Sequence, residues 1–236
     1  MAYQQIELDE ESKPYVVINT HRGLFRFNRL PFGVASAPGI FQRMMESLLS
    51  GIPGVVVYID DILITGKTIE EHLSALEEVL SRLEAAGLRL KKQKCYFLQE
   101  SVNFLGHRID AQGIHPVAEK IKAVQNAPSP RNVSELKSYL GLLSYYAKFL
   151  PNLSTTLAPL YRLLHRATPW KWMQAEEEDF QASKQLLTSA PVLVHFNPEL
   201  DITLACDAST NGIGAVLSHQ RHGATNWVCL PHSVRC

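Results

Sequence analysis

Short β-branched runs alternate with longer helical periods along the first half of the chain, each bounded by its own punctuation. Tyr15-Val16-Val17-Ile18 and Leu24-Phe25-Arg26-Phe27 flank a His21-Arg22-Gly23 turn and predict two strands. Leu30-Pro31-Phe32-Gly33 breaks the pattern. Ser36-Ala37-Pro38 then opens a helix whose apolar positions are Phe41, Met44, Met45 and Leu48, with Ser36 as N-cap. Val55-Val56-Val57 and Ile62-Leu63-Ile64, bounded by Gly54 and Gly66, predict two strands joined by a tight turn at Asp60 and Asp61. The clearest helix follows. Thr68 caps it, Glu71 completes a capping box, Ile69, Leu73, Leu76, Leu80 and Leu83 form one apolar face, and Gly87 ends it.

A basic stretch, Arg89-Leu90-Lys91-Lys92-Gln93-Lys94, leads to a second predicted hairpin over Val102–Ile109 with a turn at 110–113. From Pro116 the period is helical: residues 117–126, then 133–150 with Leu136, Leu140, Leu143 and Phe149 or Leu150 inward. Pro128-Ser129-Pro130 separates these helices, and Pro151 stops the second. A short helix over 157–165 and one ending near 188 complete this section. The acidic run Glu176–Asp179 suits the N-terminus of the latter. Ile202–Asp207 alternates, 208–212 turns and Ile213–Leu217 returns. This predicts a β-hairpin opening a further domain, with too few residues after Asp207 to close a sheet of its own.

The 236 residues are 46% hydrophobic and 19% charged, which is globular composition with enough chain for a sizeable core. Formal net charge is zero, so nucleic-acid binding would rest on a local basic patch rather than a global field. Cys95, Cys206, Cys229 and Cys236 show no C-x-x-C spacing, which argues against a zinc module or a disulfide scaffold. No signal peptide or membrane-length apolar run is present, so an intracellular protein, cytoplasmic or nuclear, is expected. The sequons at Asn132 and Asn152 then read as chance.

Asp60 and Asp61 carry the strongest chemical signal. Adjacent carboxylates repel and raise each other's pKa unless a cation sits between them. Hard oxygen ligands favour magnesium. The plain alternative is an Asp-rich turn in water.

Taken in order, the motifs resemble the reverse transcriptase and ribonuclease H region of gypsy-type long-terminal-repeat retrotransposon polyproteins. The matching residues are Ala2-Tyr3-Gln4-Gln5-Ile6, Leu30–Val34 with Ala37-Pro38 and Phe41-Gln42, and Tyr58-Ile59-Asp60-Asp61. Further on come Phe104-Leu105-Gly106-His107, Trp170, Phe180 with Leu186-Leu187, Ala190–Leu193 and Asp207-Ala208-Ser209. The resemblance implies an RNA-directed DNA polymerase and RNA–DNA hybrid ribonuclease. It would act on an RNA/DNA template-primer and deoxynucleotide triphosphates, with two magnesium ions and no membrane role. Asp60 and Asp61 match the palm carboxylates and Asp207 the first metal-binding acid of ribonuclease H. Tyr3, Phe32, Gly33 and Gln42 match the nucleotide site. Phe104, Leu105, Gly106 and His107 match the loop holding the primer end, and Lys91, Lys92 and Lys94 could meet phosphates.

Bland readings accompany these. Tyr3 could be a surface residue, Phe32 a core residue, His107 structural, and the lysine run a solvated basic face. The implied fold is α+β: an antiparallel palm with partial fingers over 1–112, a helical thumb over 113–168, a connection over 169–199, and an incomplete ribonuclease H-like β-hairpin over 200–236. The family's third palm carboxylate precedes the position of Tyr3 and would fall before Met1. The expectation is therefore that this chain alone lacks both activities. A non-catalytic nucleic-acid-binding relic or a pseudogene product is the alternative, and the stretch from Trp227 to Cys236 departs from the family's continuation.

Overall fold

The computed structural model describes residues 2–150, 153–165, 168–188, 193–209, 212–221 and 224–229. They divide into two compact units, Met1–Phe97 and Leu98–Cys236.

In the first unit, β1 (Val17–Thr20) and β2 (Gly23–Arg26) form one antiparallel hairpin. After α1 (Ala37–Leu48), a second hairpin pairs β3 (Val55–Tyr58) with β4 (Asp61–Ile64), and α2 (Ile69–Ala85) follows. Ser36 does not cap α1 as expected. Its own backbone is helical and its side chain makes no cap bond; the start rests on Pro38 in the first turn, where a missing N–H costs nothing.

The ends of α2 follow the local code. The Thr68 hydroxyl accepts from Glu71 N–H at 3.2 Å, while the Glu71 carboxylate accepts from Lys67 N–H rather than closing on Thr68. At the far end Gly87 N–H reaches Glu84 O and Leu88 N–H reaches Leu83 O, a Schellman closure. The buried face of α2 keeps Leu83 from the expected one, with Leu76 half-buried, but otherwise differs. Ala75, Val79 and Leu83 are buried against Phe41, Met45, Leu49 and Ile52, whereas Ile69, Leu73 and Leu80 are exposed. Small Ala75 and Val79 let the helix lie close to that cluster, and the larger leucines stand on a side this unit does not cover.

The second unit begins with a three-stranded antiparallel meander, β5 (Ser101–Phe104), β6 (His107–Asp110) and β7 (Gly113–Pro116), one strand more than the expected hairpin. Four helices follow: α3 (Ala118–Gln125), α4 (Val133–Tyr145), α5 (Leu153–Arg162) and α6 (Gln174–Thr188). Helix α4 stops at Tyr145 and passes into a 3-10 turn, Ala147–Phe149, so only part of the expected 133–150 run is α-helical. Pro151 lies outside the described residues.

Leu136, Leu140, Leu143, Phe149 and Leu150 are inward as the period predicts, packed with Leu157, Leu160, Phe180 and Leu187. Tyr139 enters this core with its hydroxyl on Ser183 Oγ at 2.6 Å, and burial pushes its phenol up to about 12. Asn132 caps α4 by accepting from Glu135 N–H at 2.9 Å.

The C-terminal hairpin is larger than expected. β8 (Val194–His195), β9 (Ile202–Ser209), β10 (Gly212–Arg221) and β11 (Ala224–Cys229) form a four-stranded sheet in the order β8-β11-β10-β9, with β8 parallel to β11. The partner of β8 is β11, far along the chain, and that separation hid the pairing from sequence reading. Among the described residues no helix is long and apolar enough to cross a membrane.

Candidate active site

The Tyr58–Asp61 turn is built tightly. Tyr58 pairs with Asp61 across the β3–β4 hairpin, leaving Ile59 and Asp60 as a two-residue loop. Ile59 takes φ 53°, a left-handed conformation that a β-branched residue rarely adopts and that first loop positions of such hairpins usually give to glycine. Two features hold it there. At the open end of the hairpin, Thr65 N–H donates to Gly54 O at 2.8 Å, and a Cβ on Gly54 would collide with the Thr65 carbonyl oxygen. At the turn, the Gln42 amide of α1 spans the loop: its Nε2 donates to Val57 O at 3.1 Å and its Oε1 accepts from Ile59 N–H. Nε2 also donates to Glu46 at 2.7 Å.

Asp60 and Asp61 are both exposed, and among the described residues no lysine or arginine pairs with either. The chemistry of this donor set suits magnesium, a hard cation commonly held by one or two carboxylates together with substrate phosphates. No third His, Cys, Asp or Glu joins them among the described residues.

The other residues of this unit fall into two groups. Tyr3 lies in a 3-10 turn, half-buried, with its ring 5.5 Å from Phe32 and 5.8 Å from Phe41. Phe32 keeps an exposed face, and Gly33 beside it has φ 90°. The basic stretch is separate: Arg89, Leu90, Lys91, Lys92 and Gln93 with Gln5 line an open cleft of about 520 Å³. Gln5 Oε1 accepts from Arg89 N–H at 2.6 Å and fixes that edge. Lys91, Lys92 and Lys94 are exposed.

In the second unit, Phe104 and His107 close a hairpin whose loop is Leu105-Gly106, with φ 47° and 69°. Positive φ at both loop residues is the type I′ geometry. Leu105 and Gly106 are exposed, but His107 is buried. Its ring stacks on Tyr145 at 5.2 Å and meets Phe149 at 5.6 Å, and Nε2 has no partner. Burial first, then the Lys148 charge, holds His107 below the ordinary histidine range, so it is neutral at pH 7. Asp207 lies in β9 opposite Gly214; its side chain is outside the described part of the structure.

Sequence reading picked Gln42 by resemblance but not for its bonds to the turn. It passed over Tyr145 and Tyr146, adjacent at a helix end, of which Tyr146 is buried and Tyr145 keeps an exposed face.

These features define a class: a mixed α/β protein in which an Asp-Asp hairpin is followed by a run of helices and a further sheet. A reverse transcriptase (RNA-dependent DNA polymerase) family model matches residues 1–109, and a model for the RNase H-like domain found in reverse transcriptase matches 172–233. The chain therefore carries reverse transcriptase and ribonuclease H-like domains and is homologous to retrotransposon polyproteins. It is 37% identical over 223 residues to the retrovirus-related Pol polyprotein from transposon 297 of Drosophila melanogaster, covering 93% of this chain and 21% of that protein. It is 36% identical to the transposon Tf2-3 polyprotein of Schizosaccharomyces pombe, covering 94% of this chain and 17% of that protein. The chain thus spans about a fifth of these relatives.

A foamy viral protease-reverse transcriptase in complex with double-stranded DNA superposes with TM-score 0.82 at 29% identity, covering 94% of this chain and 40% of that one. The foamy viral protease-reverse transcriptase without the dRH designation that the first structure carries, in complex with an RNA/DNA hybrid, gives 0.81 at 28% identity, covering 96% and 31%. The mixed α/β fold of antiparallel sheets plus helices is that of retroviral reverse transcriptases.

Proposed function

We propose that this chain is the palm and thumb portion of a gypsy-type retrotransposon reverse transcriptase, running into its ribonuclease H. The observation that carries the reading is the Tyr58–Asp61 turn, with two exposed carboxylates that lack a cationic partner among the described residues. Asp60 and Asp61 would hold magnesium, which when bound supplies charge neutralisation at the reacting phosphate. The family's third carboxylate belongs to sequence ahead of Tyr3.

The chain's own residues bind and orient. Tyr3, Phe32 and Gly33, with Gln42 behind the turn, border the nucleotide site. Leu105 and Gly106 offer an exposed turn to the primer end, with Phe104 and His107 as its base. Lys91 and Lys92 give the phosphate backbone a basic edge in an otherwise neutral chain. Asp207 would serve the ribonuclease H site. Such an activity would be exercised in the cytoplasm or nucleus.

Two measurements on the 236-residue chain test the reading. Anisotropy of a labelled RNA/DNA template-primer should report binding whose logarithm falls linearly with log salt. Mn²⁺ should broaden carboxyl signals of Asp60 and Asp61, and Asp60→Asn with Asp61→Asn should abolish that broadening. Absence of hybrid binding at low salt, or Mn²⁺ broadening elsewhere only, refutes it.

A further inference from the structure

Tyr145 and Tyr146 lie 40 residues beyond Leu105-Gly106, yet their hydroxyls reach the two consecutive carbonyls of that loop. Tyr145 donates to Leu105 O, and Tyr146 donates to Gly106 O at 3.0 Å. The β5–β6 ladder closes at Phe104 and His107, so neither loop carbonyl has a strand partner. The phenols donate to both carbonyls from outside the ladder, Tyr146 to Gly106 O and Tyr145 to Leu105 O, the latter carbonyl also hydrogen-bonding His107.

Further contacts reinforce the pair. Tyr145 stacks on His107 and stands edge-on to Tyr146 at 5.1 Å. Tyr146 also meets His107 edge-on at 5.8 Å and is fully buried. A Cβ on Gly106 would sit 3.2 Å from the Tyr145 hydroxyl, a tight approach, and the positive φ of Gly106 favours glycine there. Leu105, which gains nothing from its left-handed backbone, needs an external restraint to stay in it.

We infer that Tyr145 and Tyr146 form a hydroxyl clamp that fixes the Leu105-Gly106 turn to the end of α4 and so sets where a primer end is seated. This role rests on the proposed reading of that turn as the primer-end loop. The two tyrosines are positioning residues: the exposed turn, not the phenols, meets nucleic acid.

Conservative variants isolate the hydroxyls. Tyr145→Phe, Tyr146→Phe and the double variant keep the rings and remove only the donors. Tyr139→Phe is the control, since it loses a buried hydroxyl bond to Ser183 elsewhere in the same core. In the free chain, amide hydrogen exchange at Leu105, Gly106 and His107 should accelerate about tenfold in the double variant and stay unchanged in Tyr139→Phe. With 2-aminopurine at the primer 3′ end of an RNA/DNA template-primer, the double variant should change the end's emission. It should also weaken affinity for a recessed 3′ end more than for a hybrid lacking one.

Unchanged exchange at the turn overturns the clamp. Faster exchange with wild-type primer-end emission and affinity overturns the positioning role, as does an equal primer-end loss in Tyr139→Phe. A wild-type chain that binds no hybrid removes the functional reading and the positioning role together, while exchange still decides whether the clamp exists.

Discussion

Gln42→Leu removes the amide that spans the Tyr58–Asp61 turn at nearly constant volume. Two half-buried backbone groups, the Val57 carbonyl and the Ile59 N–H, lose their partners. Leaving a buried polar group unsatisfied costs about 1–3 kcal/mol, and partial burial puts each at the lower end. The sum is about 2 kcal/mol. Ile59 then holds its positive φ without the bond that restrains it, so the loss should concentrate at the turn. With a urea dependence of about 1–3 kcal/mol per molar, the midpoint should fall by about 1 M. Amide exchange at Ile59, Asp60 and Asp61 should rise while the Phe41–Val79 cluster keeps its protection. Gln42→Glu provides the sharper contrast. A carboxylate can still accept from Ile59 N–H but cannot donate to Val57 O, and it would face Glu46 in place of the present bond. That variant should be at least as damaging as Gln42→Leu at neutral pH. If Gln42→Leu matches wild type in both midpoint and exchange, the amide does not hold the turn and the argument fails.

The neutral state of His107 makes the second unit acid-sensitive. Its folded pKa is depressed, with Lys148 the facing charge, so its stabilising contribution is complete above the unfolded value of about 6.5. That contribution is lost as pH falls toward the folded value. Urea midpoints should drop below pH 6.5 in wild type and drop less in His107→Phe. Phe180→Ala should cost about 3–5 kcal/mol by calorimetry or urea titration, because its ring is fully buried against Tyr139 and Trp172. Lys91→Ala and Lys92→Ala should each lower the salt slope of hybrid binding by about 1, with little dependence on base sequence.

Local chemistry was legible without the fold. The Thr68 and Gly87 ends of α2 and the Asp60-Asp61 hairpin all depend on bonds between residues a few positions apart, so residue type and spacing determine them, and the Asn132 cap, equally local, was passed over. Inward positions of α4 were also readable, because Leu136, Leu140 and Leu143 offer a single apolar stripe. In α2 the apolar residues cover more than one stripe, and only the neighbouring Phe41 and Met45 decided that Ala75 and Val79 face the core. The same limit applies to the turns. Sequence by itself put a turn at Asp60 and Asp61, of which Asp61 proves to begin β4, and only the family resemblance marked Leu105 and Gly106 as a loop. Tertiary structure decided what restrains them, since Gln42 reaches Ile59 from 17 residues away and Tyr146 reaches Gly106 from 40. Hydrogen bonds between segments that distant depend on where whole elements pack, and no local pattern of residues records that.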